Sequence, residues 1–444
     1  MEANAKTQAK RIDWMLICLM VIMIAGYILI HDLYKNQSAG KLLDNHHWDS
    51  YTLQALSWRE GRADLGRNYS YLEIAEYQGK FYVSFPPFPS VVIFPLTFVF
   101  GANVPSNLLV MIYALIAAAF AYKIFRHAGF KEGSSALLAL LVVWGSNAMW
   151  MSTVGGVWFQ AQLLNLALLL GAFYATLRGK RILAYALVAC AVGCRPFSMV
   201  CFIALFVYFY VLDRGKSEAP KRNRLAFFFR TALKQWKCFI IPICIAAAYM
   251  WYNFIRFGNV FEFGHNYLPE FIESPDGQFN VSYLFTNLKR LFLRFVKVNP
   301  DLTLDYPLFD GFCIFVANPI FVLSVVYIVT DIVCKKLDAA RGAIIATMFL
   351  NIIFTCMHKT LGGWQFGARY TVDIIPLVCF YIALASLDTR SSVTVNAAIN
   401  RGMKRSRAEV LPQTEKRLKY YEIFVCAFGI MFNVYGAMAM TFLQ

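Results

Sequence analysis

Asp49 lies near the start of the segment HHWDSYTLQALSWREGRADL, residues 46–65. Apolar or aromatic residues follow at Tyr51, Leu53, Ala55, Leu56 and Trp58, a spacing that suits an amphipathic helix lying on a membrane surface. A carboxylate at the start of such a helix caps it. A carboxylate can also take a proton from a bound hydroxyl, and the two roles are compatible. Asp44 is a weaker candidate, because nothing in its spacing distinguishes it. Arg195 interrupts the apolar stretch Ile182–Leu212 at Cys194-Arg195-Pro196. A cation inside a membrane span costs a few kcal/mol, so it marks a functional site, unless the break lies at the interface and the side chain snorkels. Arg369 lies in GGWQFGARY, residues 362–370. Its guanidinium could bind an anion through its two-pronged fork, touch a lipid headgroup, or pair with Asp373.

Further polar candidates surround these. Arg256 lies in WYNFIRFGNVFEFGHNY, residues 251–267; it is an interfacial anchor or a second anion contact. Lys80, in YLEIAEYQGKFYVSFPPFPS (71–90), reaches either solvent or the site, and Tyr82 lies beside it. Glu262 and His265 flank Gly264 and are weak candidates for binding. Gln160 and Gln162 suit hydrogen bonds between helices or to a polar substrate. Trp48, Trp158 and Trp364 belong at a membrane interface and could also stack on a sugar ring.

The elements that must position these residues follow from composition. The chain is 59% hydrophobic and 15% charged, whereas a soluble domain carries roughly 25% charge. Apolar runs near the roughly 20 residues that a spanning helix needs recur from end to end. The expected architecture is one all-α polytopic membrane domain, residues 1–444, with about eleven spans. The first is Ile12–Ile30, read as an uncleaved span after Lys6, Lys10 and Arg11. Two long external loops are expected at 32–87 and 257–307, the first carrying juxtamembrane amphipathic helices, and two basic cytoplasmic loops at 213–237 and 388–419. Phe88–Phe100 is too short to span and reads as half-embedded. The remaining expected spans run near Leu108–Phe125, Ser135–Met151, up to Arg178, across the two halves of Ile182–Leu212, then Cys238–Phe254, Leu308–Val333, Gly342–Met357, Thr371–Leu387 and Tyr421–Phe442.

With the N-terminus inside, 28 of the 42 Lys and Arg fall on one side, while the acids split 11 to 15 the other way. That asymmetry obeys the positive-inside rule and accounts for the net charge of +16 without a nucleic-acid partner. The eleven cysteines sit mostly in apolar runs and form no C-x-x-C pair, so neither a disulfide framework nor a zinc site is expected. Every unusual segment lands on the external side, which points to a single site there.

As a set, these motifs resemble the C-type (GT-C) membrane glycosyltransferases, among them the protein O-mannosyltransferases and the lipid A aminoarabinose transferases. The resemblance rests on one span followed by Asp-x-Tyr and a helix ending in Gly61-Arg62, on GKFYVSFPPFPS before the next span, and on the 251–267 and 362–370 segments. It implies inverting transfer of a sugar from a polyprenyl-phosphate carrier to an acceptor hydroxyl of a glycan, lipid or protein, on the non-cytoplasmic side of a bacterial inner membrane. It further implies Asp49 as general base, with Arg195, Arg369, Lys80 and Arg256 as candidates to hold the donor phosphate. The weaker sugar or acceptor contacts would be Asp44, Trp48, Tyr82, Gln160, Glu262, His265 and Trp364. The chain departs from the family at Ser50, where many relatives carry a second acid, at Phe85, where aminoarabinose transferases carry Lys, and at the acid-free turn STVGGVWFQ (152–160). No metal or other cofactor is indicated. The rival readings are a lipid-linked-sugar flippase, which needs charge along a path through the core, and a surface-glycan polymerase or ligase, which need not place an acid after the first span.

Overall fold

Apolar sequence of spanning length becomes helix wherever no Pro or polar pair interrupts it. The computed structural model describes residues 12–34, 41–215, 224–301, 303–400 and 415–442. Lys6, Lys10, Arg11 and the centres of both basic loops lie outside them. Among the described residues, eight helices are long and apolar enough to cross a membrane, Trp14–Asp32, Ser106–His127, Val157–Leu177, Pro196–Arg214, Gln235–Phe257, Ala339–Met357, Arg369–Leu387 and Tyr420–Met440. Three further expected spans are the shorter apolar helices Glu132–Val143, Arg181–Val192 and Ile320–Val333. The bundle is mostly helix; among the described residues the strands are confined to two short hairpins. The Ser106–His127 and Val157–Leu177 helices pack along each other. Ala114, Ala117, Ala118 and Ala121 on the first are fully buried, a seam of small side chains that lets neighbouring helices approach. The basic 213–237 segment is not loop throughout, because a continuous helix begins at Arg224 and runs to Phe257.

Two expected spans are broken, and the breaks build the site. Ser135–Met151 is helical only to Val143 and resumes at Ala148. Leu308–Val333 is irregular but for one helical turn, Ile314–Ala317, until Pro319, after which the helix starts at Ile320; a proline is tolerated in a helix's first turn but not in its interior. The side chains freed at these breaks bind each other. Asn318 Nδ2 donates to Asn147 Oδ1 at 3.1 Å, and the Asn147 backbone N–H donates to Asn318 Oδ1 at 2.8 Å. The pair then grips the 362–370 turn. Asn147 Oδ1 accepts the Ala368 N–H at 2.6 Å, and Asn318 Nδ2 donates to Thr371 Oγ1 at 2.8 Å. Gly367 has φ +80°, and a Cβ there would overlap the Asn147 side chain, so this position needs glycine on both counts.

The first external loop holds the expected helix, Ser50–Arg59, with Asp49 as its N-cap. It does not lie on the membrane surface with one apolar face down: Thr52, Gln54 and Ser57 are buried along with Tyr51 and Ala55. A hairpin follows, β1 (Ile74–Tyr77) and β2 (Lys80–Val83), with Ile74 paired to Val83. Its two-residue turn, Gln78-Gly79, has positive φ at both positions, the backbone of a tight hairpin. Phe88–Phe100 forms a chain of short helices with Val91, Phe98 and Val99 exposed.

Candidate active site

The segments singled out in the sequence converge on a cavity of about 400 Å³. Its charged and histidine lining is Glu73, Arg195, Glu262, His265, Glu270, His358 and Arg369; Phe85, Phe197, Phe261, Phe263, Phe271 and Phe279 supply an apolar share. Charged heads beside a phenylalanine wall match a ligand with an anionic head and a hydrocarbon tail.

Arg195 stands at the expected helix break, between the Arg181–Val192 helix and the turn starting at Pro196. Its Nε donates to Asp373 Oδ2 at 2.9 Å, and its guanidinium lies 4.5 Å from the Tyr370 ring centre. Asp373 also accepts Asn165 Nδ2 at 3.0 Å, and Asn165 Oδ1 accepts the Ser198 hydroxyl at 2.7 Å. The guanidinium paired with the Asp373 carboxylate is therefore that of Arg195, not Arg369. Arg369 sits on the other side of the ring contact, 4.9 Å from the Tyr370 centroid. Its Nε and Nη2 donate to the Gly362 carbonyl at 3.1 and 2.7 Å, and Nη1 to Gln162 Oε1 at 3.2 Å. Two of the five guanidinium N–H groups thus close the glycine turn and a third reaches the Val157–Leu177 helix, which leaves two without a partner among the described residues.

The cavity histidines are acceptors. His265 Nδ1 lies 3.0 Å from the Ser84 carbonyl, so Nδ1 carries the proton and Nε2 is left as an acceptor. His358 Nδ1 is 2.8 Å from the Thr360 carbonyl, and its Nε2 is 3.1 Å from Gln278 Nε2. Burial, aided by the nearby Arg195 and Arg369, pushes His265 down to about 4 and His358 down to about 3; both are neutral near pH 7. Glu262 is occupied locally, accepting the Gly264 N–H at 2.6 Å and Asn266 Nδ2 at 2.7 Å.

Asp49 lies outside the cavity lining and is 3% exposed. Oδ1 accepts the Thr52 N–H at 3.2 Å and Gln160 Nε2 at 2.8 Å; Oδ2 accepts the Thr52 hydroxyl at 2.6 Å and Asn45 Nδ2 at 2.9 Å. Removal from water raises its pKa against these donors. Gln160 also donates to the Gly155 carbonyl at 2.9 Å, tying Asp49 to the turn that carries Trp158 into the cavity. In Asp49→Asn, an amide N–H must face a donor in either rotamer. A cost of about 1–3 kcal/mol is expected, and thermal melting of the purified protein measures it; an unchanged melting temperature would contradict the network.

The other expected contacts are scattered. Trp48 packs on Trp158, with ring centres 5.6 Å apart, and Trp364 on Trp150 at 5.8 Å; neither lines the cavity. Tyr82 is buried against Phe257. Lys80 and Asp44 are exposed away from the cavity. Arg256 is 2% exposed, donating to the Val83 carbonyl and to Asn253 Oδ1, both at 2.9 Å, so it braces the hairpin. Glu73, Glu270 and His358 line the cavity without a sequence motif to mark them. The only advance signal was for Glu73: Gln78-Gly79 between alternating strands announces a hairpin, and Glu73 stands at its base.

No family model matches the sequence, and no curated protein matches it either. Among solved structures, the chain is similar to the Archaeoglobus fulgidus oligosaccharyltransferase in its apo form, with TM-score 0.50 and 14% identity over 96% of this chain and 56% of that one. It is also similar to ArnT from Cupriavidus metallidurans bound to undecaprenyl phosphate, with TM-score 0.50 and 12% identity over 96% of this chain and 75% of that one. The chain thus spans little more than half the length of the archaeal enzyme. At these identities the likeness shows the fold, and the fold is the GT-C type that the sequence resemblance implied.

Proposed function

We propose that the chain is an inverting glycosyltransferase that moves a sugar from a polyprenyl-phosphate carrier to an acceptor hydroxyl on the non-cytoplasmic side of the membrane. The observation that carries this reading is the pair of guanidiniums, Arg195 and Arg369, set against the one Tyr370 ring in a cavity shared with six phenylalanines. Fixed cations beside a leaving phosphate stabilise the charge that develops on it, and the phenylalanines offer an apolar surface to the first isoprene units. The ArnT structure to which the fold is similar holds undecaprenyl phosphate, which supports this donor class. The sequence count, with 28 of the 42 Lys and Arg assigned to one side, supports an external site.

The acceptor oxygen attacks the anomeric carbon from the face opposite the phosphate and inverts it. A carboxylate of the first external loop takes the proton. The resemblance assigns that role to Asp49, and the same loop brings Glu73 onto the cavity wall itself. The test is release of free polyprenyl phosphate from a panel of polyprenyl-phosphate sugars by the protein in lipid nanodiscs. Release is expected from at least one donor, with a product of opposite anomeric configuration by NMR. A protein that neither binds undecaprenyl phosphate nor releases it from any donor, yet moves lipid-linked sugars across liposomes, would be a flippase.

A further inference from the structure

Glu73 is held where a reacting carboxylate is needed. It directly precedes β1, and its backbone carbonyl accepts the Ser84 hydroxyl at 2.9 Å. Val83 and Ser84, on the facing strand end, are fixed in turn by Arg256 and His265 through their carbonyls. Arg256 and His265, both from the 251–267 segment, therefore clamp the hairpin base. The Glu73 side chain lines the cavity, and its Oε2 accepts the Trp158 indole N–H at 2.9 Å; Oε1 has no partner among the described residues. Asp49 differs on each point: it is sealed from the cavity, and both its oxygens are saturated by four donor contacts.

Resting on the glycosyl-transfer reading above, we infer that Glu73 is the general base. The acceptor hydroxyl gives its proton to Glu73 Oε1, and its oxygen bonds to the anomeric carbon. The bond from that carbon to the phosphate oxygen breaks, and its electron pair leaves with the polyprenyl phosphate beside Arg195 and Arg369. Asp49 is then a positioning residue that acts through Gln160 and the Trp158 turn.

The surroundings of Glu73 suit the task. Glu73 keeps contact with solvent, but the cavity walls crowd its carboxylate and raise its pKa, and Glu270 adds to the rise; the Trp158 N–H and Arg369 oppose it. His265 and His358, on the other cavity walls, are neutral, and Lys359 donates to the Glu270 carbonyl at 2.6 Å. A base works best as its pKa approaches the working pH, and Glu73 is displaced in that direction.

The experiment uses the full chain in nanodiscs, the polyprenyl-phosphate sugar it cleaves, and undecaprenyl phosphate alone as the binding probe. Glu73→Gln should lower turnover about 100-fold while binding undecaprenyl phosphate as wild type does, and Glu73→Asp should recover part of the rate. Trp158→Phe removes an N–H that favours the carboxylate, so the acid limb of the pH–rate profile should move to higher pH; a merely structural tryptophan would not move it. That shift also serves as the test if Glu73→Gln does not fold. Glu73→Gln turnover within about threefold of wild type, or a folded but inactive Asp49→Asn protein beside an active Glu73→Gln, would return the proton to another group while leaving the transferase reading in place. A wild type with no release from any donor and no binding of the probe would overturn that reading itself.

Discussion

Replacing Arg369 by Lys should lower turnover about 100-fold, the usual effect of removing a donor aimed at developing charge, and should weaken binding of undecaprenyl phosphate in the same preparation. The guanidinium does two jobs at once. Its Nε and Nη2 close the turn onto the Gly362 carbonyl, and Nη1 reaches Gln162 on the Val157–Leu177 helix. A lysine ammonium is a single point with three donors. It can satisfy Gly362 or a phosphate, but it cannot span both with Gln162. The positive charge survives, so a purely long-range electrostatic role predicts little change. Equal binding of undecaprenyl phosphate by wild type and Arg369→Lys, measured by quenching of tryptophan fluorescence, would show that Arg369 only holds the turn.

The same residue shows which parts of the site could be read from sequence. The helix break at Arg195 was legible because proline forces it locally, and the Asp49 cap because a carboxylate before a helical period is a local signal. The support for Arg369 was not legible. It depends on Asn147 and Asn318, 171 residues apart, exchanging hydrogen bonds where two expected spans break. Each asparagine alone reads as an ordinary polar residue near a membrane boundary, and only the fold makes them partners. Glu73 was hidden for a different reason. The period-two stretch on either side of Gln78-Gly79 is only four residues a side, too short to stand out from the loop around it. The hairpin lifts Glu73 to the wall, and with it the roles divide: the acid with the stronger local motif is sealed away, and the acid without one faces the cavity. Arg256 shows the converse, an arginine at a helix end whose partners are a backbone carbonyl and a neighbouring asparagine. Side-chain type and place along a span identified the arginines worth examining, but which of them faces the ligand depends on long-range packing.

Asp373→Asn should separate the structural and ligand-binding demands on Arg195. In the ligand-free protein the carboxylate, 5% exposed, is the ion-pair partner of a guanidinium that is itself 20% exposed. Breaking such a pair by removing one member leaves a poorly compensated charge and costs about 3 kcal/mol. The neutral amide also disturbs Asn165 and Ser198, which bind through the same carboxylate. The variant should therefore melt well below wild type without ligand. A phosphate entering the cavity offers Arg195 a new anion. Saturating ligand at about 100 times its Kd stabilises a protein by about 2.7 kcal/mol. The gain should be larger in Asp373→Asn than in wild type, because the guanidinium no longer divides its bonding between Asp373 and the lipid. Melting curves with increasing undecaprenyl phosphate should therefore converge for the two proteins. Curves that stay parallel across the titration would mean that the phosphate does not reach Arg195, and the donor headgroup would then be held by Arg369 without it.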